Sequence, residues 1–329
     1  LQLPRGPGDQ CDKCGKPLGP LELGDPRCRL CGSTPRTEDS EHFFLRLSAF
    51  RDQLLEWVRQ QKGWRQNVLN FTQRYLEEGL KDRAITRDIE WGIPIPQPGF
   101  EKKRIYVWFE AVIGYLSASI EWAQIVGQPD AWRDWWVSPE GKALYFIGKD
   151  NIFFHTAMWP AELAGAGEQF LHIFAEDEGQ LNLPYDVPAN EFLTIEGRKL
   201  STSRNWAVWL PDYLERYSPD PLRYLLSANM PESADADFSW REFVRRNNDE
   251  LVATWGNLAN RVLSFAYKHW AGSIPQPAWL RPADQELLAQ IEAGFTTVGA
   301  HLDAVQLRAA LGEAIALARA VNGYLDRAP

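Results

Sequence analysis

Cysteine is scarce and confined: all four residues fall between Cys11 and Cys31, and the rest of the 329-residue chain has none. A disulfide framework spanning the chain is thereby excluded, since the bridges that staple secreted folds are spread along them. Long apolar runs are missing too. The densest stretch, Ile105 to Ile120, is broken by Glu110 and Gly114, short of the ~20 apolar residues that a membrane helix needs. The amino terminus, Leu1-Gln2-Leu3-Pro4-Arg5, has neither an apolar signal region nor an initiator Met, so the chain reads as a piece of a longer, cytoplasmic polypeptide with no membrane partner. Positive charge is in deficit, 35 Lys plus Arg against 44 Asp plus Glu for a net −9. That disfavours a sequence-independent grip on nucleic acid through bulk charge and leaves a local basic patch open.

What is present is an ordinary globular composition, 45% apolar and 24% charged, which rules out disorder and collagen-like repeats. At roughly 100–200 residues per domain the length predicts two or three domains. The clustered cysteines form two C-x₂-C pairs, Cys11-Asp12-Lys13-Cys14 and Cys28-Arg29-Leu30-Cys31, each followed by a glycine, Gly15 and Gly32. Two such turns can aim four thiolates at one tetrahedral ion, with the glycines permitting the left-handed backbone of a metal knuckle. Four thiolates fill the coordination sphere, so a zinc ion here is structural. Two local disulfides are the alternative.

Further along, Glu41 to Leu47 reads as a short strand, and Ser48 as the cap of a helix with Leu54, Leu55 and Val58 at helical spacing. A second helix is expected over 68–80. The alternating prolines of Trp91 to Gly99 force an extended path and mark a boundary. Strand and helix then alternate: strands at 104–109, 143–147 and 189–195, helices at about 111–122 and 151–163. This pattern implies parallel strands with crossover helices and a ligand site beyond the strands' carboxyl ends. The residues there are Trp108, Glu110 and Ala111, then Gly148, Lys149 and Asp150, then the 197–204 loop. Beyond Arg204 the pattern is helical. Asp220-Pro221 opens one helix, Ser239-Trp240-Arg241-Glu242 forms a capping box for another reaching about His269, and 284–294 and 302–325 complete an antiparallel bundle.

At this point the motifs become specific. Arg87-Asp88-Ile89-Glu90-Trp91-Gly92-Ile93-Pro94, the stretch Tyr106 to Tyr115, Gly148-Lys149-Asp150-Asn151 with His155 behind it, and Lys199-Leu200-Ser201-Thr202-Ser203 closely resemble the methionyl-tRNA synthetases, a class I aminoacyl-tRNA synthetase family. The resemblance runs through essentially the whole chain. It implies the second half of a Rossmann-type α/β catalytic domain with a zinc-knuckle insertion, followed by an all-α anticodon-binding helical bundle. The corresponding segments are 1–90 for the insertion, 91–204 for the catalytic half, and 205–329 for a linking segment and, from about 240, the bundle. The family's first Rossmann half, with its HIGH motif, has no counterpart here. The chain also stops at Arg327-Ala328-Pro329, where the family continues with an aromatic residue, so a fragment inactive alone is expected.

The resemblance also assigns residues. A methionine pocket needs aromatic walls and one or two donors, because a thioether is only a weak hydrogen-bond acceptor. Trp108, Ala111, Tyr115 and His155 supply that mixture, and with Asn151 and Phe154 they match the family's methionine pocket. Lys199 to Ser203 is similar to the KMSKS loop, which binds the ATP triphosphate and neutralises charge as pyrophosphate leaves. Lys199, Ser201 and Ser203 hold the pattern as catalytic residues, while Thr202, facing ATP, replaces the second lysine. Arg198 or Arg204 could stand in for the missing charge. Asn257 and Arg261, four apart on one helical face, align with the family's anticodon-contacting pair.

Implied partners are methionine, ATP with Mg2+, tRNA(Met) and the structural zinc of Cys11, Cys14, Cys28 and Cys31. The function implied is ATP-dependent activation of methionine and its transfer to tRNA. A catalytically inactive, zinc-stabilised RNA-binding module is the alternative, and a sister class I enzyme for leucine, isoleucine, valine or cysteine is disfavoured by the aromatic and His pocket.

Overall fold

The computed structural model describes residues 24–28, 31–36, 39–175, 179–277 and 279–327. Cys11 and Cys14 lie outside them. The chain forms two compact units, Leu1–Asn190 and Glu191–Pro329. Among the described residues no helix is long and apolar enough to cross a membrane.

In the first unit, β1 (Phe44–Leu45) pairs antiparallel with β2 (Arg83–Ala84), and the helices α1 (Arg51–Arg59) and α2 (Gln66–Glu77) pack between them in sequence. Their faces bury Leu54, Leu55 and Val58, then Val68 and Leu76. Ser48 does not cap α1. Its hydroxyl and backbone N–H both go to the Asp82 carboxylate, at 2.6 and 3.1 Å, and Phe50 holds the cap position without a side-chain bond.

The run 104–109 is not one strand of a parallel sheet. Only β4 (Arg104–Ile105) is extended, and it pairs antiparallel with β3 (Thr86–Arg87). The N–H groups of Ile105 and Tyr106 are taken by the carbonyls of Ile93 and Ile85, and Phe109 N–H already turns back to Tyr106. The chain is therefore helical from Val107: α3 (Val107–Glu110), a 3₁₀ turn, then α4 (Gly114–Ile125). After α5 (Arg133–Trp136), the expected parallel pairing does appear. It joins β5 (Ile147–Gly148) to β6 (Ala189–Asn190), with a further bridge from Leu144 to Asp186. The crossover is a 3₁₀ turn at 149–151, a π-helical turn at Phe154–Met158 and α6 (Trp159–Ala175). A single apolar core runs through this unit, including Leu47, Val58, Leu116, Phe153, Met158, Trp159 and Leu171.

The expected strand 189–195 is interrupted. Its second part, β7 (Leu193–Ile195), belongs to the second unit, between β8 (Arg198–Lys199), antiparallel, and β9 (Ala236–Phe238), parallel. Between β7 and β9 lie α7 (Leu210–Leu214) and α8 (Pro219–Ala228). Ser218 holds the cap position of α8 and Pro219 its first helical position, two residues ahead of the expected Asp220-Pro221. Ile195, Tyr213, Leu222, Leu225, Phe238 and Phe243 form this unit's core.

A long helix follows: α9 (Trp240–Arg246), a π-helical segment at Asn247–Gly256, and α10 (Asn257–Trp270). Ser239 caps it by accepting Glu242 N–H at 3.2 Å. The reciprocal half of the capping box is not formed, because the Glu242 carboxylate is engaged by Arg245 and Arg246. Finally α11 (Pro282–Asp303) and α12 (Leu307–Arg327) pack as an antiparallel pair. Gly294 does not end α11. It is buried mid-helix, where a Cβ would collide with the Leu317 side chain, so its role is close helix approach. Residues 304–306 form the turn, with Val305 buried in a left-handed conformation at φ 54°.

Candidate functional site

The residues expected to line an apolar side-chain pocket come together in the first unit. The turn after β5 places Asn151, Phe154 and His155 at the head of the crossover helix. The Trp108 ring stacks on Phe154, centroids 5.4 Å apart and 26° between planes. The Tyr115 hydroxyl lies 2.9 Å from Nε2 of His155. Nδ1 of His155 lies 3.0 Å from the Asn151 carbonyl oxygen, which can only accept. Nδ1 therefore carries the proton and Nε2 accepts from Tyr115. Burial holds His155 below its ordinary pKa, opposed by the Asn151 carbonyl, so the neutral imidazole fits this pattern. His155 is 4% exposed while Trp108 is 46% and Tyr115 42% exposed. Ala111, in the 3₁₀ turn between α3 and α4, is exposed as well. The group is an aromatic surface with one locked polar pair at its base.

One residue that the motifs did not single out completes it. The Tyr145 ring meets Tyr115 edge-on at 5.0 Å and lies 5.6 Å from His155, and its hydroxyl accepts Trp159 Nε1–H at 3.0 Å. Burial pushes the Tyr145 hydroxyl up to about 12. Its place in the 143–147 strand was the available signal, since alternate side chains of a strand share a face. Another residue the motifs did not single out is Glu162, in α6. Both carboxylate oxygens are buried with no hydrogen-bond partner, and desolvation raises this acid to about 9. A lone acid in the apolar run Trp159 to Leu163 was the signal there. In the same unit, the Arg87 guanidinium lies 3.7 Å over the Tyr106 ring, and Lys103 ties Asp88 to Ser40.

The expected phosphate-handling loop lies in the second unit. Glu196 and Gly197, with φ of 50° and 70°, form the two-residue turn between β7 and β8, the backbone that a tight hairpin of this twist requires. Lys199 is exposed at the end of β8, its Nζ 5.6 Å over the Phe192 ring. Ser201 and Trp206 exchange backbone bonds at 3.0 and 2.9 Å around the 3₁₀ turn Thr202–Arg204, which contains Thr202 and Ser203. Arg198 lies 3.9 Å over the Trp206 ring, and it and Arg204 are both exposed.

Asn257 is exposed at the start of α10. Arg261 is not a free cation: it bonds Asp326 at 2.9 Å and reaches Asn322 at 3.5 Å, both on α12. Asn322 in turn donates to the Thr254 carbonyl at 2.9 Å. Of the four cysteines, Cys28 and Cys31 are described. Gly32 N–H bonds Cys28 O at 2.8 Å with φ 71°, and the Ser33 hydroxyl 2.9 Å from Cys31 Sγ helps lower that thiol to about 7. Among the described residues no cluster of three metal-binding side chains occurs.

The sequence family described as tRNA synthetases class I (M) matches residues 2–263. The chain belongs to the class I (M) tRNA synthetases. It is 54% identical over 323 residues to the methionine–tRNA ligase of Thermomicrobium roseum and 55% identical over 329 residues to that of Chloroflexus aggregans, covering 98% and 97% of this chain. It spans about half the length of these relatives, 53% and 54%. Its fold is similar to that of Mycobacterium tuberculosis methionyl-tRNA synthetase bound by methionyl-adenylate, with a TM-score of 0.75 and 29% identity over 91% of this chain and 55% of that one.

Proposed function

We propose that the chain is the part of a methionine–tRNA ligase that holds the amino-acid side-chain pocket, one half of the ATP site and most of the anticodon-binding bundle. The observation that carries the reading is the Tyr115–His155 pair under the Trp108–Phe154 stack, in a chain of this family. An unbranched thioether chain is polarizable and favours ring faces and edges. The polar pair at the base, already satisfied within the protein, discriminates against ligands that would compete for its hydrogen bonds.

In this reading methionine's carboxylate attacks the α-phosphorus of ATP, carried with Mg2+, and pyrophosphate leaves. Lys199, Ser201, Thr202 and Ser203 face the triphosphate. Lys199 stabilises the charge that develops on the departing oxygens. The acyl group then passes to the terminal adenosine of tRNA(Met), whose anticodon Asn257 and Arg261 read. Cys28 and Cys31, with Cys11 and Cys14, would hold one structural zinc ion; the turn at Gly32 and the lowered Cys31 thiol fit that donor set. The working place is the cytoplasm.

The test is methionine-dependent ATP–pyrophosphate exchange, compared between the chain and a version extended upstream to the relatives' full length. Exchange in the extended form that falls with Tyr115→Ala and His155→Ala supports the reading. Binding of RNA without any exchange would instead make the chain a zinc-stabilised RNA-binding module.

A further inference from the structure

The motif Arg87 to Pro94 lies apart from the side-chain pocket, in the long loop between β3 and β4. It presents Trp91, which is 85% exposed, more than any other aromatic ring among the described residues. No ring stacks on it and its indole N–H has no acceptor among those residues. Ile89 and Ile93 are exposed on either side in sequence, so the bare surface is a patch and not a single ring.

The backbone beneath the patch is fixed. Ile93 O accepts Ile105 N–H at 2.8 Å, and Pro94 bridges to Arg104. Pro94, Pro96 and Pro98 each lock a φ angle. Gly92, at φ 138°, lets the chain pass so close to β4 that a Cβ there would stand 3.1 Å from the Arg104 Cβ. Arg104 is therefore held beside the residue that follows Trp91.

Charge around the patch is sorted as well. Asp88 is spent on Ser40 and Lys103, at 2.6 and 2.7 Å, and the Glu101 carboxylate accepts Gly99 N–H at 2.9 Å. Arg104 gives one guanidinium nitrogen to the carbonyls of Glu101 and Lys103, and no carboxylate pairs with it among the described residues. Lys102 is exposed, and Glu90 is the remaining acid of the loop. In a chain of net charge −9, this is a local cationic site with an aromatic plane next to it.

That pairing suits an unpaired nucleotide, whose base can stack on the ring while its phosphate meets the cation. A duplex cannot use the ring, because its bases are already stacked on one another. The loop is also close to the pocket in the chain: β4 runs from Arg104 into α3, and Trp108 is four residues on, at most about 14 Å away. We propose that Trp91 and Arg104 hold an unpaired nucleotide of the tRNA 3′ end, base on indole and phosphate on guanidinium. The assignment rests on the reading of the chain as part of a methionine–tRNA ligase, whose acyl acceptor has to approach the pocket. Neither residue touches the reacting atoms.

The experiment compares two RNA hairpins of the same duplex, one ending in a single-stranded 3′ ACCA and one blunt, with binding to the chain followed by fluorescence anisotropy. The overhanging hairpin should bind about tenfold tighter. Trp91→Ala should remove that advantage, and Trp91→Phe, which keeps a ring, should retain most of it. Arg104→Ala should weaken the overhanging hairpin and reduce the slope of log affinity against log salt by about one, while Arg104→Lys keeps the slope. Equal binding of the two hairpins, binding of neither, or an advantage that survives Trp91→Ala overturns the proposal. In the extended enzyme the amino-acid activation step is read by ATP–pyrophosphate exchange without RNA. Trp91→Ala should lower transfer to tRNA(Met) about tenfold more than it lowers exchange, and equal loss in both would make Trp91 a structural residue. A parent without exchange ends the ligase reading alone, and the hairpin comparison still decides the nucleotide site.

Discussion

The Tyr115 hydroxyl donates to Nε2 of His155, and the opposite ring nitrogen of the same histidine donates to the Asn151 carbonyl. Both polar atoms of the ring are therefore spent inside the protein. Burial favours the neutral ring and lowers its pKa. In the unfolded chain the histidine takes up a proton near its ordinary value of about 6.5. Below that pH the unfolded state binds the extra proton first, so stability is present above about 6.5 and falls as the pH drops toward the depressed folded value. Urea unfolding of the parent between pH 5 and 7.5 should show this loss, and His155→Gln should flatten it. An unchanged slope would mean that His155 is protonated in the fold.

Glu162 carries the opposite sign. Its folded pKa is raised by desolvation to about 9, so the folded state keeps a proton that the unfolded chain releases near 4.5. The stability this group permits is full below about pH 4.5 and declines as pH rises toward 9. Glu162→Leu removes two buried, unpartnered oxygens and should stabilise the chain by about 1–3 kcal/mol at pH 8. Denaturant titration at pH 5 and pH 8 checks it, with the gain larger at the higher pH. Destabilisation at both would show that the carboxyl serves the fold.

These two groups also mark where the sequence is legible. His155 stands out because it sits four residues after Asn151 at a strand-to-helix junction, and the structure places it beside Tyr115. Tyr145, which completes the same cluster, is hidden, because one aromatic in a strand reads only as core. The crossover from β5 to β6 follows from alternating apolar runs and turn residues. The antiparallel pair β3–β4 does not, since two-residue strands are set by tertiary bonds to Ile85 and Ile93 and carry no periodicity of their own. Gly294 looks like a helix end and is a packing device, because a glycine's need for space against Leu317 and its need for a left-handed turn leave the same letter. The capping box at Ser239 is half formed for a related reason: Glu242 finds two arginines closer in energy than a backbone N–H.

Zinc should be recovered at about one equivalent per chain by elemental analysis, with the four thiols protected from alkylation until a chelator is added. With the ion removed, Cys31, whose thiol is lowered to about 7, should be among the first to react at pH 7.5. Two disulfides and no metal would end the knuckle reading.

Lys199 stands exposed at the end of β8, its Nζ over the Phe192 ring. In the extended enzyme Lys199→Ala should lower the adenylation rate by about 10²-fold and raise the apparent constant for ATP far less. Thr202→Lys is the companion. If it raises the rate, the threonine is a handicap; if the rate rises only when Arg204 is also removed, Arg204 already supplies the charge.

Arg261 is the residue on which the structural and the RNA-reading accounts part most cleanly. Its guanidinium bonds Asp326, yet Asp326 is 65% and Arg261 33% exposed, so the pair itself is worth about 0–1 kcal/mol of stability. A guanidinium held in place by a solvent-facing carboxylate is also pre-organised for a base edge or a base face, the usual targets in an unstacked RNA loop. With a net charge of −9, binding has to rest on a few such contacts and not on bulk attraction. Arg261→Ala should therefore cost less than about 1 kcal/mol in unfolding free energy and about 1–3 kcal/mol in affinity for a CAU stem-loop, with altered anticodons showing little further loss. Asn257→Ala, at an exposed position with no helix-bridging bond to lose, should weaken the same complex without touching stability. If both variants bind the CAU loop as tightly as the parent while Arg261→Ala unfolds more easily, the α10–α12 tie is architecture and the anticodon is read elsewhere.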